Sequence, residues 1–447
     1  MSAIAADIEM TPLESWIAGR TTASDHKFTR EALDQYQLKA FQQTVAWARG
    51  HSSFYAQHFA DISDDLPRSL GEVSRLPLTS SEDVVRNTSG FLCVSQDDIS
   101  RVVTMHTSGT SGAPKRIFFA ESDQASALDF FAHGVAAMAA PGDRMLIALP
   151  GEREGSVGYQ LAKGIARAGV IPIPHGLSTD PAQTLAHMEQ EEATCIIGLP
   201  VQMLALFSDD SACAVSVLRR LRFIVLCSDH VPESLVRRLR HRTGCEIFEH
   251  YGMTEMGLGG GVDCAAHMGY HLREADLFFE IVDPATGEPV PDGETGEIVF
   301  TTLHRTAMPL IRYRTGDLSR FMLGTCGCGT ILKRLERVRD RVDGFVVLGK
   351  WGRISISALD EALFDIPGLL DFTASLGPGW PQRLEIRVYA PGIESAQIEA
   401  TVRDALRTLP VICNACTSGE FELSVISAHK PLSITGAKRK IEVKVEP

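Results

Sequence analysis

The sequence predicts an α/β protein with mainly parallel sheets, a small antiparallel β element and a small α+β region toward its C-terminal end. Three observations carry this. Short apolar runs (Met145–Leu149, Val170–Ile173, Cys195–Gly198, Arg222–Cys227) alternate with longer amphipathic stretches, the pattern of buried strands joined by helical crossovers. Leu277–Val282 and Glu297–Leu303 flank Pro284–Gly296, a stretch rich in Pro, Gly, Asp and Glu, which reads as an antiparallel pair joined by a long turn. Beyond Asp343 come a helical pattern near Ser357–Phe364, a strand at Leu384–Tyr389, a helix at Glu394–Leu409 and a strand at Phe421–Ile426. About 100 residues suffice for a separate domain.

Ahead of these elements the first hundred residues read as mainly helical. Leu33, Tyr36, Ala40, Phe41, Val45 and Ala48 fall on one face of a 3.6-residue period, with Gly50 as the expected C-terminal stop. The basic run Lys333–Arg341 precedes another apolar run, Phe345–Leu348, so the boundary between the two parts falls close to Asp343. No internal repeat of solenoid or propeller period is present.

Composition narrows the function classes. The 447 residues, 44% hydrophobic and 22% charged, can build a large core. A formal net charge of −13 argues against general nucleic-acid binding, so any polyanionic ligand must be held by a local arrangement of donors. No run approaches the 18 apolar residues of a bilayer span. The segment Met1–Met10 carries Asp7 and Glu9 and has no basic region followed by an apolar run, unlike a secretory signal. Ten cysteines then read as reduced thiols or metal ligands, and the expected compartment is the cytoplasm.

Two segments carry chemistry on their face. In Thr107-Ser108-Gly109-Thr110-Ser111-Gly112-Ala113-Pro114-Lys115, small hydroxyl residues and glycines let backbone N–H groups turn toward an anion, and Lys115 adds a point charge. The spacing fits neither a Walker A loop nor a nucleophile elbow, and a plain surface turn has the same composition. Cys326-Gly327-Cys328 places two thiols at close spacing, which suits Zn²⁺ in a closed site of four N/S ligands. Cys413 and Cys416, a C-x-x-C pair, compete as metal ligands, and buried free thiols would explain either pair.

The hydroxyl-glycine loop resembles the phosphate-binding loop of the adenylate-forming superfamily of acyl-CoA synthetases, peptide-synthetase adenylation domains and luciferases. His250-Tyr251-Gly252-Met253-Thr254-Glu255 and Tyr313-Arg314-Thr315-Gly316-Asp317-Leu318 are similar to two further motifs of that superfamily, in the same order. His271 with Glu274, the stretch Asp283–Pro291, Thr301-Thr302-Leu303 and Ala307–Arg314 resemble the phenylacetate–CoA ligase branch.

The resemblance implies a large multi-layer N-terminal adenylation domain, 1–342, and a small mobile lid, 343–447, hinged at Asp343. It implies that Thr107, Ser108, Gly109, Thr110, Ser111 and Gly112 cradle the β- and γ-phosphates of ATP and that Lys115 neutralises departing pyrophosphate. Thr254 would bond the α-phosphate, and Glu255 would hold Mg²⁺, a hard cation suited to carboxylate oxygen. Asp317 would accept bonds from the ribose hydroxyls, and Arg341 would donate to the sugar or a phosphate. Ser228 and Asp229, after a strand, would meet the adenine, and Tyr251 would contact the nucleotide. Zinc-carrying members of the branch add Cys264 and His271 to Cys326 and Cys328 as a structural site.

Lys438 is the candidate for the lysine that bridges carboxylate and α-phosphate, displaced by one residue from the usual Gly-Lys, with Lys440 as alternative. The implied reaction is ATP-dependent activation of a carboxylic acid, aromatic or compact, as acyl-AMP, followed by transfer to the thiol of CoA. His250, Tyr251 and Gly257–Gly261 would line the acid pocket. A second reading keeps adenylation and changes the acceptor to an amine, a carrier-protein arm, or a non-acid substrate such as a phenol or nitrite. A third is a nucleotide-binding protein without turnover. Neither a nucleic acid nor a membrane is an expected partner, and the oligomeric state stays open, a homodimer among the options.

Overall fold

The computed structural model describes residues 8–21, 28–62, 66–105, 114–379, 381–432 and 439–444. The chain forms two compact units, each assembled from separated stretches. One comprises Met1–Gly142, Arg153–Ile171 and His250–Val338, the other Asp143–Glu152, Pro172–Glu249 and Arg339–Pro447. No described helix is long and apolar enough to cross a membrane.

In the first unit, helix Arg30–His51 buries Leu33, Ala40, Phe41, Val45 and Ala48 as its periodicity predicts. Tyr36 lies at the margin of that stripe and donates its hydroxyl to the Ala275 carbonyl at 3.1 Å. Gly50 sits inside the last turn rather than beyond it. The stop is Ser52, whose extended backbone ends this helix while its hydroxyl accepts from Tyr55 N and caps the next, Ser53–His58. A serine that serves both ends makes a glycine stop unnecessary.

Strands Arg101–Met105 and Lys115–Phe119 pair antiparallel with Met105 opposite Lys115. The expected antiparallel pair, Leu277–Val282 with Gly296–Thr302, gains a third strand, Tyr313–Ser319. His250 and Tyr251 pair antiparallel with Val262 and Gly261, and the ladder continues through Tyr270–Leu272 to Arg334–Leu335. Phe41, Tyr55, Phe91, Phe119, Phe279 and Phe300 fill one core.

The second unit holds the parallel strands Arg144–Ala148, Cys195–Gly198 and Phe223–Leu226 and residues 246–249 of a fourth in that spatial order, with residues 172–174 at the outer edge. Every residue of Cys195–Gly198 and Phe223–Leu226 is buried, which is why these strands read as unbroken apolar runs. The C-terminal stretch builds a mixed four-stranded sheet ordered Phe421–Ala428, Gln382–Tyr389, Asp371–Leu376, Ile441–Val443. Helices Ile356–Leu363, Ser395–Arg407 and Pro410–Thr417 accompany it, after a hairpin of Phe345–Leu348 with Gly352–Ser355.

Candidate active site and metal centre

Lys115 is the first residue of its strand. Its ammonium lies in an ion pair with Glu255 Oε1 and donates to Tyr313 Oη at 3.1 Å and Ser81 Oγ at 3.0 Å. Tyr313 in turn donates to Glu255 Oε1 at 3.2 Å. Lys115, Glu255 and Tyr313 are 8%, 2% and 1% exposed, so the charges meet largely away from water. A buried pair of this kind persists when further hydrogen bonds satisfy the remaining donors and lone pairs, here those from Tyr313 and to Ser81.

The backbone around Glu255 explains its motif. A Cβ at Gly252 would come within 2.3 Å of the Leu258 carbonyl oxygen, so only glycine fits where the chain folds back. Thr254–Met256 is a single 3₁₀ turn closed by Gly257 at φ 75°, and Arg305 Nη1 donates to the Glu255 carbonyl at 2.7 Å. Burial lowers the Arg305 pKa to about 10. Thr254 is half-buried on the same turn.

Asp317 is 2% exposed and accepts from Tyr251 Oη at 3.0 Å. Its placement comes from a bulge. Glu297 pairs with Leu318 and Val299 with Arg314, so the single residue Ile298 faces Thr315, Gly316 and Asp317. Side chains satisfy the bulged backbone: Gly316 N donates to Glu297 Oε1 at 2.9 Å, Asp317 N to Thr315 Oγ1 at 3.0 Å, and Thr315 Oγ1 to the Ile298 carbonyl at 2.7 Å. Gly316 has φ 76°, the left-handed region where glycine is favoured. The Tyr251 ring stacks on Tyr270 with centroids 5.8 Å apart.

Lys115, Tyr251, Thr254, Glu255 and Asp317 therefore lie in the first unit, together with Tyr313 and Ser81, which the sequence reading did not single out. Tyr313 heads the Thr-Gly-Asp segment. Ser81 carries no local signal, because only the fold brings it to Lys115. Ser228, Asp229 and Arg341 belong to the second unit. Ser228 has φ 73°. Asp229 accepts from His230 N at 2.9 Å and Arg439 N at 3.4 Å, and burial raises its pKa against the pull of Arg439. Arg341 Nε donates to Asp343 at 3.3 Å. Thr107, Ser108, Gly109, Thr110, Ser111, Gly112 and Lys438 lie outside the described residues.

Cys264, His271, Cys326 and Cys328 converge with all four ligand atoms within 4.8 Å of one another, each residue buried. Cys264 Sγ is 3.7 Å from Cys326 Sγ, and His271 Nε2 is 3.3 Å from Cys264 Sγ and 3.5 Å from Cys328 Sγ. Tetrahedral Zn²⁺, with Zn–S of about 2.3 Å and Zn–N of about 2.0 Å, would set about 3.8 Å between sulfurs and about 3.5 Å between sulfur and nitrogen. The cluster already has nearly that shape, and a 3.7 Å sulfur separation is far too long for a disulfide. Burial pushes the Cys264 and Cys326 thiols up and lowers His271 to about 4, so the imidazole is neutral, as a ligand must be. The donor set fits zinc. Among the described residues it is the single grouping of three or more candidate ligands, and neither Cys413 nor Cys416 enters one.

A model described as AMP-binding enzyme matches residues 69–306, just over half of the chain. The phenylacetate-coenzyme A ligase of Pseudomonas putida is 28% identical over 429 residues, 93% of this chain and 93% of its own. That of Thermus thermophilus is 27% identical over 327 residues, 71% of this chain and 72% of its own. A crystal structure of 2-hydroxyisobutyryl-CoA ligase in the postadenylation state, in complex with 2-HIB-AMP, shares the fold, with a TM-score of 0.78 over 95% of this chain and 94% of that one at 19% identity. The match over more than half of its length, together with a Lys115–Glu255–Tyr313 cluster and a bulge-borne Asp317, makes this chain a member of the AMP-binding enzyme family.

Proposed function

We propose that this chain activates a carboxylic acid as acyl-AMP and passes the acyl group to the thiol of CoA, as the names of its phenylacetate–CoA ligase relatives suggest. The observation that carries the reading is the pairing of opposite charges at Lys115 and Glu255 inside a buried cluster. Arrival of Mg·ATP would exchange that one ion pair for two contacts, carboxylate to Mg²⁺ and ammonium to phosphate. The carboxylate of the acid attacks the α-phosphorus, the P–O bond to pyrophosphate breaks, and the CoA thiol, losing its proton, then displaces AMP. Positioning and charge neutralisation do most of such phosphorus chemistry.

Thr254 would bond the α-phosphate, Asp317 the ribose, and Ser228 and Asp229 the adenine, with Tyr251 also touching the nucleotide. Thr107–Gly112 would cradle the outer phosphates, and Arg341 would assist at sugar or phosphate. Lys438 would join carboxylate and α-phosphate in the first step, and rotation of 343–447 about Asp343 would remove it before the second. Zn²⁺ at Cys264, His271, Cys326 and Cys328 would tie the 264–271 segment to 326–328, a structural role. Ten free cysteines suit a reducing compartment, in keeping with the cytoplasm.

An aromatic acid is favoured by the aromatic grouping around His250. The His250 ring lies 6.0 Å from Phe130 and 6.2 Å from Phe131 between centroids, and a Cβ at Gly259 would come within 2.2 Å of the Phe130 ring. Acid-dependent pyrophosphate exchange over a panel of aryl and alkyl carboxylates, followed by mass spectrometry of products with and without CoA, tests the reading. Aryl-CoA formation is expected. Exchange with no thioester, but with an adduct when an amine is supplied, would transfer the case to the second acceptor class.

A further inference from the structure

We propose that Glu361 is a positioning residue for the loop 227–230, and that the C-terminal stretch sets ATP affinity by docking on that loop through it. The inference rests on the reading that this loop receives the adenine. Helix Glu233–Thr243 begins just after the loop, and its N-cap is Pro232, which supplies no side-chain cap. The orphan amides at such an end need partners. Here Glu361, on helix Ile356–Leu363, provides them: its two carboxylate oxygens accept from Glu233 N at 2.8 Å and Ser234 N at 3.1 Å. A carboxylate is also the charge that a helix N-terminus favours.

The cap does not act alone. Ser234 Oγ donates to the Asp360 carbonyl at 3.3 Å. One turn further, Arg238 Nη1 donates to the carbonyls of Phe364 at 3.1 Å and Leu369 at 2.7 Å. From the other side the Asp229 carboxylate accepts from Arg439 N at 3.4 Å, while the Arg439 guanidinium is anchored on Asp360 at 2.6 Å and between the rings of Phe364 and Phe372. The loop is thus held at its acidic side chain and at the start of its exit helix by one C-terminal surface. Ser228, at φ 73°, is in a conformation that a non-glycine residue keeps only when its surroundings impose it.

The test measures ATP binding by calorimetry on the full chain without acid, with KM for ATP and for the acid in pyrophosphate exchange and the thermal midpoint alongside. Glu361→Ala should weaken ATP about tenfold, the size of a lost helix cap. KM for the acid and kcat at saturating ATP should stay within about twofold. Glu361→Asp, which can still accept from these amides, should recover part of the loss. Arg237→Ala removes an exposed pair with Asp365 and should leave ATP binding unchanged. Unchanged ATP affinity in Glu361→Ala, or equal loss for ATP and acid with a lowered midpoint in both Glu361→Ala and Glu361→Asp, would overturn the proposal. Failure of the ligase reading looks different: wild type would bind ATP yet show no acid-dependent exchange, and the calorimetric comparison would still decide the role of Glu361.

Discussion

Replacing Cys328 by Ser should abolish the zinc binding proposed for the four-ligand cluster of the first unit and lower the unfolding midpoint by about 10 °C. The figure follows from the site. Four buried ligand atoms already stand near tetrahedral spacing, so binding needs little rearrangement, and the free energy of a preformed structural zinc goes into stability. A metal at a thousand times its Kd adds about 4 kcal/mol. In a unit of 150–250 residues each kcal/mol moves the midpoint by about 2–4 °C. The assay is metal content of protein purified without chelator, paired with thermal unfolding before and after chelator treatment. Wild type should carry about one zinc per chain, Cys328→Ser none, and a Cys413→Ser/Cys416→Ser double variant should match wild type. Metal-free wild type, with a midpoint within 2 °C of the variant on the same scale, would refute the reasoning.

Lys115→Met should cut pyrophosphate exchange at least about 100-fold, as removal of a transition-state donor does, and destabilise the fold because Glu255 is left buried without its cation. A Lys115→Met/Glu255→Gln double variant should regain the stability in urea unfolding and none of the exchange. Arg312→Met should cost about 3–5 kcal/mol by the same measurement, since Arg312 is 2% exposed, pairs with Glu280 at 3.0 Å and donates to the carbonyls of Ser74, Leu76 and Gly287. Burial holds His250 at about 4 in the folded chain against an ordinary 6.5. The unfolded chain therefore takes up the proton first, and stability present above pH 6.5 is lost as pH falls toward 4. Urea midpoints at pH 7.5 and 5 should show that drop, and His250→Leu should reduce it, leaving the part that His271, also lowered to about 4, contributes.

What the sequence makes legible, and what it hides, follows from how each residue earns its place. Cys195–Gly198 and Phe223–Leu226 are buried on both faces, so their apolar runs declare them. Asp371–Leu376 carries the period-2 alternation of a half-buried strand in Phe372, Ala374 and Leu376, but its central place in the sheet comes only from its pairing with Gln382–Tyr389 and Ile441–Val443. Asp371 is buried by accepting from Leu432 N at 2.9 Å, a partner 61 positions away. Gly352–Ser355 escapes notice for a similar reason: its first two residues are exposed, and only its pairing with Phe345–Leu348 makes it a strand. At the candidate site, Lys115, Glu255 and Asp317 stand in motifs, whereas Ser81 and Arg305 are recruited by topology and carry no local mark. The choice between Cys264 with His271 and the C-x-x-C pair at Cys413 is likewise a matter of which segments the sheet ladder brings together, here Tyr270–Leu272 beside Arg334–Leu335.

The Thr-Gly-Asp segment shows why a motif can be local in sequence and still depend on a distant partner. A regular strand would place Asp317 opposite a single residue of Gly296–Thr302 and keep it in the ladder. Three residues facing Ile298 instead push Asp317 out of register, which is how a bulge re-aims a side chain. That arrangement needs a hydroxyl at 315 to cover the Ile298 carbonyl and the Asp317 amide, a glycine at 316 for φ 76°, and the Glu297 carboxylate to receive the Gly316 amide. Glu297, itself 2% exposed and bonded to Arg314, is thus as necessary to the aim of Asp317 as the three residues that the motif names.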